Sequence, residues 1–167
     1  MLVPHTSLPS LSLWSKMIAS CRSSPCAAIT FDLCGAPSRG LSVPVCELLS
    51  RPEGALERML VGSSDVVGAK MSGSLGFRRW PGCEHLDRTH PLDLYIPAGP
   101  LTRGQLAVQV AHAFARFINE LQGHPPAQHG AAWRFDNGGI SYNRLILSGL
   151  WNVCDNTWLA EVIVDFR

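Results

Sequence analysis

The segment from Thr102 to Gln122 constrains the fold of this chain more than any other feature of its 167 residues. Thr102 and Gln105 have the spacing of a capping box, in which the two side chains satisfy free amide groups at a helix start. Apolar residues then recur at helical spacing on one face, at Leu106, Val110, Phe114, Phe117, Ile118 and Leu121. This pattern predicts an amphipathic helix of about six turns, which Gly123 is expected to end in the left-handed conformation.

Alternating apolar residues near the C-terminus predict the sheet that this helix covers. The alternation runs through 144–153 and again through 158–166, with Asp155-Asn156 as the turn between them. A one-residue slip in the pattern near Asn143-Arg144 indicates either a bulge or a break between elements. We predict an α+β fold, with a small, mostly antiparallel sheet, one long amphipathic helix packed on it and a disordered N-terminal tail.

Other local patterns predict further elements. Ser50 and Glu53 have the spacing of a second capping box, which predicts a short helix that Gly62 ends. Asn137-Gly138 between alternating apolar residues predicts a second hairpin. Apolar residues that alternate with Asp93 and Tyr95 predict a half-buried strand, and these are Leu92, Leu94 and Ile96.

The N-terminal region shows no persistent helical or strand period. It is rich in serine and holds five of the twelve prolines, at positions 4, 9, 25, 37 and 44. Such a segment buries too little apolar surface to offset the entropy of ordering it. We therefore predict a disordered tail over residues 1–47 and a single α+β domain over residues 48–167.

Composition limits the kinds of partner. Fourteen Lys and Arg residues balance thirteen Asp and Glu residues, which gives a net charge of +1. Because no basic field is present to attract nucleic acid, we expect no nucleic-acid partner. No apolar run reaches the roughly 18 residues of a membrane span, so we expect no membrane partner either.

The N-terminus and the cysteines indicate an intracellular protein. The first residues lack the cationic start and unbroken apolar stretch of a secretory signal, so we predict a cytoplasmic or nuclear location. Organellar targeting stays open as an alternative, because the segment is Ser-rich and has no acidic residue before Asp32. The six cysteines form no C-x-x-C pair, and most of them are expected to stay reduced.

The strong motifs of nucleotide binding and hydrolysis are absent, so we predict no catalytic residue, no cofactor-binding residue and no cofactor. The densest group of potential ligands is Cys83-Glu84-His85, followed by Asp87 and His90. Cys83, His85 and His90 could supply zinc ligands or a thiol–imidazole pair, although the spacing fits no standard zinc pattern. We interpret this segment as a surface loop and keep the three residues as candidates.

Aromatic residues suggest two other binding sites. Arg78-Arg79-Trp80 combines cations with an aromatic ring, but the acidic residues that follow largely cancel the charge, and we interpret it as a solvated turn. Trp151 and Trp158 flank the predicted C-terminal turn. They could line a ligand groove, but we expect them to belong to the sheet with their indole N–H groups hydrogen-bonded.

Three segments carry a resemblance to a family of fungal proteins. They are RRWPGCEH (78–85), GPLTRGQLAVQVAHAFARFI (99–118) and ISYNRLILSGLWNVCDNTWLAEVIV (140–164). In these segments the chain resembles uncharacterised proteins of mushroom-forming fungi. The resemblance covers mostly structural positions and implies no activity, cofactor or partner.

The sequence leaves three kinds of function open. Because no catalytic constellation is present, the leading hypothesis is a non-catalytic intracellular interaction module with a protein partner. The second is a metal-binding protein or an enzyme centred on Cys83, His85 and His90. The third is a self-associating structural protein that uses exposed edges of the C-terminal hairpin.

Overall fold

A computed structural model describes residues 28–35, 42–68, 71, 74–77, 83, 88–124, 131, 133–135, 139–154 and 157–165. Its strands are β1 (Ala28–Thr30), β2 (Val43–Pro44), β3 (Ser74–Phe77), β4 (Arg88–Pro91), β5 (Tyr95–Ile96), β6 (Gly99–Pro100), β7 (Leu145–Cys154) and β8 (Thr157–Val164). Its helices are α1 (Val45–Ser50), α2 (Glu53–Met59) and α3 (Arg103–Gln122), and a 3-10 turn spans Tyr142–Arg144.

The main sheet has the strand order β1-β7-β8-β3-β4, and β2 pairs with β7 beside β1. The β3–β8 pairing is parallel and the other described pairings are antiparallel. The predicted C-terminal hairpin is confirmed, with Leu145 opposite Val164 and Cys154 opposite Thr157. The core lies between this sheet and the helices, so the predicted α+β fold is confirmed.

The C-terminal hairpin does not lie at an edge of the sheet. β7 pairs with β8 on one side and with β1 and β2 on the other. β8 pairs with β7 and, along residues 157–159, with β3. The edges that the self-association hypothesis requires are therefore occupied by strands of the same chain over most of β7 and the first residues of β8.

The predicted long helix forms as α3. Gln105 N donates to Thr102 Oγ1 at 3.4 Å and Thr102 N donates to Gln105 Oε1 at 3.1 Å, which completes the capping box. All six apolar residues of the predicted face are buried, whereas Arg116 and Asn119 are exposed. The predicted left-handed end is wrong: Gly123 has a φ of −78°, because its N–H closes a tighter turn onto Glu120 O.

Tyr142 braces the 3-10 turn against α3. Its hydroxyl lies 3.1 Å from Ala115 O and 3.3 Å from Asn119 Oδ1. Burial raises the pKa of the Tyr142 phenol above its ordinary value of 10.0, because desolvation disfavours the phenolate. The turn occupies the position of the predicted slip near Asn143-Arg144, so the slip there is a break between elements and not a bulge.

A bulge does occur in β7, a few residues later. The register with β8 shifts between Leu147 and Gly149. The main-chain N–H of Phe31 donates to Ser148 O at 2.9 Å. The bulge is therefore hydrogen-bonded to the residue that directly follows β1. A Cβ at position 149 would lie 2.8 Å from Ile29 O, which requires glycine there.

Gly149→Ala is therefore expected to lower the free energy of unfolding by about 1–3 kcal/mol, the usual cost of overpacking. The matched control is Gly54→Ala in α2, where an added Cβ meets nothing within 4 Å. Alanine favours a helix over glycine, so the control is expected to be neutral or stabilising. Urea unfolding followed by circular dichroism measures both, and equal midpoints for the two variants would contradict the close approach of β1.

The predicted tail boundary at residue 48 needs correction. Residues 28–30 pair with β7, and Phe31, Val43 and Val45 are fully buried in the core. The prediction of disorder is thus wrong for residues 28–35 and 42–47. These residues fold through contacts with β7, more than 100 positions away, which a local pattern does not reveal. The rest of 1–47 lies outside the described residues.

One local prediction also fails, and another lies partly outside the described residues. Ser50 is the last residue of α1, and α2 begins after Pro52 with no side-chain cap, so the second capping box does not form. The helix itself is confirmed over 53–59. The Asn137-Gly138 turn lies outside the described residues, and its described flanks are not strands, although Ile140 N donates to Arg134 O at 2.8 Å.

Candidate interaction surface

Cys83 is not a surface residue. Its side chain is 4% exposed and belongs to the hydrophobic core, which corrects the interpretation of a surface loop at this position. His85 lies outside the described residues, and the backbone of His90 lies in β4 opposite Leu75. Within the residues that the structure describes, no three His, Cys, Asp or Glu side chains group to hold a metal ion.

The burial of Cys83 predicts a large difference in thiol reactivity. Cys34 is exposed and is expected to react readily with iodoacetamide in the native protein. Cys83 should react at least about tenfold more slowly, since the reagent reaches it only when the structure opens. Mass spectrometry of peptides from the pulse-labelled protein measures both rates. In urea both thiols are accessible, and their rates should be equal. If Cys34 and Cys83 also reacted at equal rates in the native protein, the burial of Cys83 would be contradicted.

The two tryptophans do not line a common groove. Trp151 lies opposite Leu159, and Trp158 lies opposite Asn152, so the two indoles project from opposite faces of the sheet. Trp158 is buried. Trp151 is half-buried and its indole N–H donates to Glu161 Oε2 at 3.1 Å, which confirms the expected hydrogen bond for this residue.

The start of α3 is not a free anion site. Arg103 N donates to Asp65 O and Gly104 N donates to Ser63 O, at 2.8 and 2.9 Å. The Gln105 amide is used by the capping box. The Arg103 guanidinium ties two segments together, since Nη1 donates to Thr30 O at 2.8 Å and Nη2 lies 3.4 Å from an oxygen of Asp65. These amide groups are engaged within the fold.

An extended ribbon lies beside this helix start and exposes apolar side chains to solvent. Its central segment is 99–102, which pairs with β5 on one side and with residues 66–68 on the other. Leu101 N donates to Leu94 O at 2.9 Å, and Val67 N donates to Leu101 O at 3.0 Å. The bonds fix the three segments in register.

One face of this ribbon is outward. Val66 lies opposite Thr102, and Tyr95 lies opposite Pro100. Residues opposite each other, and residues two apart on a strand, lie on the same side, so all four side chains share one face. We call this set of four residues the ribbon face. The side chains of Leu101 and Val67, which alternate with them, are buried.

The exposed fractions distinguish the ribbon face from ordinary surface. Val66 is 49% exposed and Tyr95 is 63% exposed, and these are two of the three exposed large hydrophobic residues in the described part of the chain. The third, Val61, lies in the turn that precedes Val66. Grouped exposed apolar side chains are typical of interaction sites, whereas scattered ones are not.

The sequence predicts part of this surface. The alternation around Leu92, Asp93 and Tyr95 predicts a half-buried strand, and Leu92 is buried while Asp93 and Tyr95 are exposed. Only 95–96 form a regular strand, and Leu94 is joined to the neighbouring segment by a single hydrogen bond from Leu101 N. The sequence does not reveal the pairing with Val66, since it is an isolated bridge from a distant segment.

Comparisons with known proteins do not assign a family. No family model matches the chain, and neither a curated protein nor a solved structure matches it. The resemblance to fungal proteins is untested by these comparisons and stays a prediction. In the described residues, no helix is long and apolar enough to cross a membrane.

Proposed function

We propose that this protein is a non-catalytic module that binds another protein through the ribbon face. The observation that carries the proposal is the exposure of Val66 and Tyr95 on one face of a ribbon fixed by main-chain hydrogen bonds. When a partner covers apolar surface, each Å² removed from water contributes roughly 25 cal/mol of favourable free energy to the complex. A rigid aromatic side chain is also a frequent centre of binding energy, because little conformational entropy is lost when it is covered.

The thiols support an intracellular setting for this module. Cys34, Cys46 and Cys83 form no disulfide bond. Reduced thiols persist in reducing compartments, so the cytoplasm or the nucleus fits them best. A reactive-thiol enzyme centred on Cys83 is less well supported, because a buried thiol in apolar surroundings is inert.

Selection from a random-peptide library displayed on phage tests the proposal, because it requires no identified partner. The full-length protein is the bait, and the enriched peptides are then synthesised and titrated. Tyr95→Ala is expected to weaken their binding by about tenfold or more, the effect of losing a central aromatic contact.

The matched control is Gln122→Ala, an exposed truncation at the far end of α3, about 30 Å along the helix from Thr102. It should leave peptide binding unchanged. Selection of peptides that bind Tyr95→Ala as tightly as the unmodified protein would overturn the proposal, and so would the absence of any enriched peptide. Circular dichroism confirms that each variant is folded.

A further inference from the structure

We infer that the partner presents a basic side chain to Asp93 next to the apolar residues that cover the ribbon face. This inference rests on the proposed function and specifies the chemistry of the partner. Asp93 is exposed, as is Tyr95 two residues later, whereas Leu92 is buried, so the two exposed side chains lie on the same side of this segment. A carboxylate therefore adjoins the apolar face.

The backbone holds Asp93 in place. Its carbonyl oxygen accepts a hydrogen bond of 3.0 Å from the Gln109 side chain on α3. The next residue, Leu94, accepts from Leu101 N at 2.9 Å. The main chain that carries the carboxylate is thus fixed beside Tyr95, which lowers the backbone entropy lost when a partner binds there.

The chain itself offers no described cation to Asp93. Arg103, at the start of α3, is engaged with Asp65 and with Thr30 O. In the part of the chain that the structure describes, Asp93 makes no ion pair. A lysine or arginine of a partner would provide complementary charge, which favours specificity and the rate of association.

The peptides selected on the full-length protein test this inference. We expect them to combine apolar residues with at least one lysine or arginine. Asp93→Asn should weaken the binding of basic peptides by about two- to fivefold at low salt, which corresponds to the free energy of an exposed ion pair. Raising the salt concentration should reduce this difference, since screening weakens the pair in the unmodified protein.

Glu120→Gln is the matched control. It removes one carboxylate near the other end of α3, about 27 Å along the helix from Thr102. Selection of peptides that lack basic residues would overturn this inference. So would equal peptide affinities of the Asp93→Asn and Glu120→Gln variants. If Tyr95→Ala still weakened binding in that case, the proposed function would stand without the charge contact. If Tyr95→Ala had no effect, both would fail.

Discussion

Phe31→Ala is expected to lower the free energy of unfolding by about 3–5 kcal/mol, the usual cost of truncating a buried phenylalanine. Phe31 is 0% exposed, and its main-chain N–H donates to Ser148 O in β7. The truncation would leave a cavity where the chain leaves β1. Urea unfolding followed by circular dichroism measures the change.

Cys34→Ala is the control for Phe31, since Cys34 lies three residues further along and is exposed. Its effect should stay within about 0.5 kcal/mol. If Phe31→Ala were as stable as Cys34→Ala, the segment 28–35 would not belong to the folded unit, and the domain would begin near residue 48 as its local pattern predicts.

Phe114→Ala is expected to have an equally large effect, about 3–5 kcal/mol, because Phe114 lies on the buried face of α3. Its ring lies against Phe117, with the ring centroids 6.0 Å apart. Arg116→Ala, on the exposed face of the same helix, should change stability by less than about 0.5 kcal/mol. Similar denaturation midpoints for these two variants would contradict the packing of α3.

The sequence predicts α3 and the C-terminal hairpin well because their signals are local. Thr102 and Gln105 lie one turn apart, and the buried residues of α3 repeat every three or four positions. The strands of the hairpin lie close in sequence, so that alternation and one turn suffice to pair them. These elements need no information from the rest of the chain.

The errors concern contacts between distant segments. Phe31 is buried by β7, although prolines on both sides of it favour disorder when the segment is considered alone. Ser50 and Glu53 have the spacing of a helix cap, yet Ser50 is the last residue of α1, and this helix is held in the core by its buried residues Val45 and Leu48. Burial by distant residues overrides a local preference worth about 1 kcal/mol.

The candidate surface could be predicted only in part for the same reason. The alternation of apolar and polar residues predicts that Asp93 and Tyr95 lie on the solvent side of their segment, and the exposure of both residues is confirmed. Val66 and Thr102 join that surface through an isolated bridge, which leaves no periodic signal. The residue types around Cys83 are interpreted from the sequence as a surface loop, but the fold places this side chain in the core.

Hydrogen–deuterium exchange of the full-length protein, with and without the tightest selected peptide, tests the ribbon face most directly. The peptide should slow exchange of amides in 61–68 and 93–102, the segments that build and border this face. Exchange in the last two turns of α3 should not change. Slowed exchange confined to other segments, with 61–68 and 93–102 unaffected, would contradict the assignment of the binding surface.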